Sequence, residues 1–80
     1  MIANAELRRQ VREVIASSLL MDEDELPPEA SQETCERWTS LYHLTVLLNL
    51  EERFGVALSM EQMLEMTSES AIVAVLEARG

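Results

Sequence analysis

An 80-residue chain with 15 acidic against 6 basic residues and a formal charge of -9 reads as one small domain, whose folding removes only about 60 to 65% of its surface from water. The charge repels phosphate backbones and anionic headgroups, which argues against nucleic acid and membrane surfaces as partners. With 48% hydrophobic but only 4% aromatic residues, the core is expected to be built from Leu, Val, Ile, Ala and Met, in helices rather than in a sandwich or barrel.

Such acidity suits basic patches on other proteins, and it equally serves simple solubility. Cys35 is the only cysteine, so an internal disulfide and a multi-cysteine metal site are excluded and a reducing compartment is indicated. No basic-then-apolar leader pattern and no apolar run near the roughly 20 residues of a membrane span is present, so a cytoplasmic location is expected.

From Ala3 to about Leu20, the apolar residues Leu7, Val11, Val14, Ile15 and Leu19 recur at helical spacing between charged residues, with Asn4 placed to cap the start. Residues 21–39 lose that period, carry the acids Asp22, Glu23, Asp24 and Glu25, and contain Pro27-Pro28, which removes two backbone donors. They read as a long loop anchored on the core by Leu26 and Trp38. Loops longer than about 12 to 15 residues are usually functional.

Thr39 is placed to cap a second helix from Ser40 to about Phe54, stopped by Gly55 in a left-handed conformation. This helix has more apolar residues than one buried face needs. Leu41, Leu44, Leu50 and Phe54 are expected to face the core, leaving Leu47 or Leu48 partly exposed as a contact surface unless a neighbouring helix covers them. Val56 and Leu58 fill a short connection, Ser59 caps a brief third helix to about Met66, and Thr67 or Ser68 caps a fourth helix holding Ala71, Ile72, Val75 and Leu76. Met60, Met63 and Met66 read as adaptable core filler. The whole is a single domain, residues 1–80, folded as a small all-α four-helix bundle with a long loop between helices 1 and 2.

Little here points to catalysis by the chain itself. His43 is the sole histidine, and although it stands three residues from Ser40 on one helix, that geometry supplies neither an oxyanion hole nor a pocket. One Cys and one His make a poor metal shell, the acids of the loop lack the glycine and spacing of a calcium site, and phosphate-cradling glycine motifs are absent. What remains is Ser40, a hydroxyl in the first turn of a helix after a long loop. Thr39-Ser40 can be an ordinary cap; a serine there is also better placed to be modified than to attack, since free N–H groups and the helix dipole favour a phosphodiester by roughly 0.3 to 1 kcal/mol.

The stretches "WTSLYHL" and "LEERFGV", in their order of helix, acidic loop, serine-led helix, short helix and final helix, resemble the acyl and peptidyl carrier proteins over the whole chain. The likeness is greatest to the Trp-Asp-Ser-Leu-x-His-Leu and Leu-Glu-Glu-x-Phe-Gly pattern of free-standing carriers in secondary-metabolite pathways. The resemblance implies a bundle of the acyl carrier type, no enzymatic activity of its own, and a 4′-phosphopantetheine arm moved from coenzyme A to Ser40 by a phosphopantetheinyl transferase. The arm's thiol then holds an acyl, aminoacyl or peptidyl group as a thioester for a loading enzyme and a downstream synthase or transferase of polyketide or nonribosomal peptide assembly. It further implies a docking surface at the loop end and second helix, here Trp38, Leu41, Leu47, Leu48, Glu51 and Glu52, on a monomer.

Several positions depart from that pattern. Thr39 stands where the family has an aspartate that contributes to recognition by the transferase, and it keeps the capping oxygen without the charge. Tyr42 and Thr45 stand where fatty-acid-type carriers show acids, Arg37 replaces a glycine, and Gln32 and Glu36 occupy the loop's usual hydrophobic positions, so Trp38 is expected to take over part of that burial. The alternative to a carrier is an unmodified helical module that binds or regulates a protein partner through its apolar second-helix face and acidic rim.

Overall fold

The computed structural model describes residues 4–79 of the chain. Among these residues it is all-α: α1 (Asn4–Ser18), α2 (Ser40–Phe54), α3 (Met60–Glu65) and α4 (Glu69–Arg79), with a single 3-10 turn at Glu23–Glu25 and no strand. The expected Ala3 start and the capping by the Asn4 side chain lie outside the described residues. Among the described residues no helix is long and apolar enough to cross a membrane.

The helical period of α1 buries Leu7, Val11, Val14, Ile15 and Leu19 on one stripe, as their spacing predicts. The helix stops two residues earlier than expected. Leu20 takes a left-handed φ of 60°, and the Leu20 and Met21 N–H groups turn back to the carbonyls of Ser17 and Ala16 at 3.2 and 2.9 Å, which satisfies two otherwise orphaned acceptors. On its outer face Arg9 bridges Glu6 and Glu13. Hydrogen bonds from Arg9, then Gln10, hold the Glu6 carboxyl down at about 2, and the Arg53 guanidinium, then Arg9, lowers that of Glu13.

The long loop is packed rather than loose. Leu26 and Trp38 are buried as expected, and Ala30 and Cys35 join them, so those four take the core positions while Gln32 is half-buried and Glu36 exposed. The backbone pairs with the link between α3 and α4: Gln32 N–H donates to Thr67 O at 3.0 Å and Glu69 N–H to Ala30 O at 2.7 Å. Beneath this seam lies Glu69, 2% exposed. Its carboxylate accepts from Arg8 at 2.7 Å, from Arg12, and from the Ala30 N–H at 3.3 Å, while Arg12 also reaches the carbonyls of Leu26 and Pro27 at 3.1 Å each. A buried carboxylate is tolerated only when its oxygens are filled in this way.

The other caps fall where the sequence places them. Gly55 ends α2 with φ 64°, Ser59 accepts from Gln62 N–H at 3.1 Å at the start of α3, and Ser68, of the two candidates, accepts from Ala71 N–H at 3.1 Å at the start of α4. Ile72, Val73 and Leu76 of α4 are buried with Leu58 and Met66, whereas Ala71 and Val75 are half-buried. Of the three methionines expected as filler, Met66 is fully buried, Met63 packs at the edge, and Met60 is 73% exposed because it follows the Ser59 cap on the outer side of α3.

Candidate functional site

Ser40 is the first residue of α2 and is exposed. Thr39, extended at φ -87° and ψ 173°, accepts the Tyr42 N–H on its side-chain oxygen at 3.4 Å, and its carbonyl takes the His43 N–H at 2.8 Å. The Ser40 hydroxyl makes no hydrogen bond to the described protein. Two backbone N–H groups, those of Ser40 and Leu41, therefore stand without intrahelical partners beside a free hydroxyl. The first turn carries no acid, and upstream the exposed Arg37 stands beside the exposed Glu36, so it is the helix N-terminus itself that favours an anion.

Trp38 and His43 brace this turn from inside. Trp38 Nε1 donates to His43 Nδ1 at 2.9 Å, with the rings tilted and their centroids 5.9 Å apart, and His43 Nε2 lies 3.5 Å from the Met63 carbonyl oxygen on α3. The imidazole is thus engaged by the loop and α3 and makes no bond to Ser40, so the serine-histidine pairing that the spacing allows is not formed.

The helix is phased differently from the expectation, and His43 is the reason. The inward line is His43, Val46, Leu47, Leu50 and Phe54, at helical spacing, with a polar residue in its first place; Val46, Leu47 and Leu50 are buried. A hydropathy reading that skips His43 chooses the neighbouring phase. Leu41 and Leu44, expected in the core, are 79% and 57% exposed, and Leu48 is 52% exposed. Leu47, expected on the docking surface, is buried at 3%. Trp38 is likewise buried, at 1%, and presents no ring to a partner because its whole face is used against the core. The exposed stripe is therefore Leu41, Leu44 and Leu48, starting beside Ser40.

The acids at the far end of α2 differ from each other. The Glu51 carboxylate accepts the Leu58 N–H at 2.8 Å and so holds the connection after the helix, whereas Glu52 is exposed. An open groove of about 610 Å³ lies at that end, lined by Glu13, Ser17, Asp22, Asn49, Glu52 and Arg53 among others. At 1.5 Å per residue it begins about 14 Å along the helix from Ser40, so it does not enclose the serine. Among the described residues no group of three or more His, Cys, Asp or Glu side chains could hold a metal ion.

The chain matches no family model and no curated protein. Its functional reading therefore rests on its own residues and on the motif resemblance. The signals that sequence reasoning passed over are both polar residues in apolar phase: His43 within the α2 stripe, and Glu69 one residue after the cap of α4.

Proposed function

We propose that this chain is a discrete carrier protein of the acyl or peptidyl carrier type, a four-helix bundle that bears a 4′-phosphopantetheine arm on Ser40. The reading rests on the motif resemblance, and the observation that best supports it is the exposed Ser40 hydroxyl at the start of α2, without a protein partner, below two free N–H groups. The residues present fit a phosphodiester: Thr39 keeps its capping oxygen turned to Tyr42, and no carboxylate stands in the first turn. When attached, the arm supplies a terminal thiol that carries an acyl or aminoacyl group as a thioester. The chain's own part is to anchor, to hold the cargo at high local concentration, and to be recognised by the phosphopantetheinyl transferase, the loading enzyme and the synthase or transferase downstream.

Recognition falls to Leu41, Leu44 and Leu48, the exposed stripe next to the serine, with Glu52 at its far end; Trp38 and Leu47 are buried behind it, and Glu51 holds the connection after the helix. Incubation with coenzyme A and a broad-specificity transferase, followed by peptide mapping, is expected to place the added mass on the Ser40 peptide. Thr39→Asp is expected to load faster, and Ser40→Ala is expected to fold and not to load; loading of Ser40→Ala would refute the assignment.

The uncharged Thr39 favours a second reading, an unmodified module that binds a protein partner through the same leucines. That module would keep its binding in Ser40→Ala and lose it in Leu44→Ala or Leu48→Ala.

A further inference from the structure

His43 holds a core-facing place on α2, yet its two ring nitrogens are spent on the loop end and on α3. The partners fix the tautomer. An indole N–H only donates, so His43 Nδ1 must be a bare lone pair, and the ring proton must sit on Nε2, facing the Met63 carbonyl, which only accepts. The Trp38 to His43 bond closes a bracket over residues 38–43. Inside it lie the Thr39 cap and Ser40. Trp38 is 1% exposed, so its N–H finds no water in exchange unless the bracket moves.

We propose that His43 is the positioning residue for the turn that carries Ser40, and that it acts only as the neutral Nε2–H imidazole. A proton taken from solvent onto Nδ1 removes the acceptor, strands the indole N–H of Trp38, and sets two hydrogens against each other where one bond had been. The bracket then opens and the Thr39 to Ser40 turn loses its inner brace. The ionisable groups on the elements that meet the imidazole are Glu36 and Arg37 at the loop end and Glu61 and Glu65 on α3, all exposed. None forms an ion pair with His43 among the described residues, and from Ser40 to Leu50 α2 holds no acid and no arginine, Tyr42 being its other ionisable side chain. The switch therefore depends on the imidazole itself, and it does not depend on the carrier reading.

Trp38 is the only tryptophan, so its indole N–H gives one resonance in the nitrogen-correlated spectrum of the labelled full chain. On acidification that resonance is expected to move from a bonded to an unbonded position in step with the His43 ring protons. Protection of the Tyr42 and His43 amides, which bond to Thr39, is expected to fall about tenfold over the same titration, the factor expected for stranding one buried donor. His43→Asn places an oxygen near the Nδ1 position and does not titrate; it should keep the bonded resonance and the protection at every pH. His43→Leu should show the unbonded resonance throughout. An indole resonance in the native chain that stays fixed while the His43 ring titrates would overturn the proposal, as would the same pH response in His43→Asn; either comparison holds even if His43→Leu fails to fold.

Discussion

Arg12 on α1 and Glu69 on α4, 57 residues apart, meet beneath the long loop, and the same guanidinium holds the carbonyls of Leu26 and Pro27. One ion pair thus ties α1, α4 and the loop leading to Ser40 into a single body. Glu69→Leu removes the acceptor of two arginines and of the Ala30 N–H, and breaking a buried pair from one side costs about 3 to 5 kcal/mol. Arg8 and Arg12 keep 31% and 23% side-chain exposure, so water relieves part of that and a loss of about 3 kcal/mol is expected. Denaturant unfolding measures it, and Glu69→Gln, which can still accept, should lose less.

The phase of α2 is tested by pairs of leucines. Leu47→Ala and Leu50→Ala are each expected to cost about 2 to 5 kcal/mol, since both side chains are buried. Leu41→Ala and Leu44→Ala should stay within about 0.5 kcal/mol of the native chain. Equal losses at Leu44 and Leu47 would contradict the phase described.

Gly55 ends α2 at φ 64°, and a Cβ built there meets nothing within 4 Å. The whole penalty of Gly55→Ala is then backbone strain, about 1 kcal/mol, with no steric part. Thermal unfolding should show a modest fall for Ala and a nearly equal one for Ser; a much larger loss for Ser would mean that the space is not open.

The outer face of α1 predicts an acid dependence. Glu6 is held at about 2 against an ordinary 4.5, and Glu13 is lowered as well, both by arginine hydrogen bonds. Carboxyls with a depressed folded value stabilise above the ordinary value and lose that contribution as pH falls through the folded one. The advantage of the native chain over Glu6→Gln/Glu13→Gln should therefore be full above about pH 5, shrink between about 4.5 and 2, and weaken with salt, because both groups are solvated. An advantage that grows on acidification would reverse the sign.

Much of this architecture is legible from spacing alone. The α1 stripe, the Thr39, Ser59 and Ser68 caps and the Gly55 stop follow from local chemistry, because each is set by residues within one or two turns. What is not legible depends on pairs distant in sequence. Arg8 and Arg12 read as a solvated face until Glu69 meets them from α4, and Leu41 and Leu44 read as core until His43 is seen to turn inward to Trp38. Ser40 stands out by place rather than by neighbours, so the role proposed for it rests on motif and position.

Ser40 is proposed to accept a phosphopantetheine arm. Intact mass of the native chain, before and after incubation with coenzyme A and the transferase, tests it most directly, with Ser40→Ala and Thr39→Asp alongside. Gain of one arm by the native chain and by Thr39→Asp, and none by Ser40→Ala, is the predicted result. No gain by either the native chain or Thr39→Asp would contradict the claim and leave the leucine face of α2 as a docking surface without cargo.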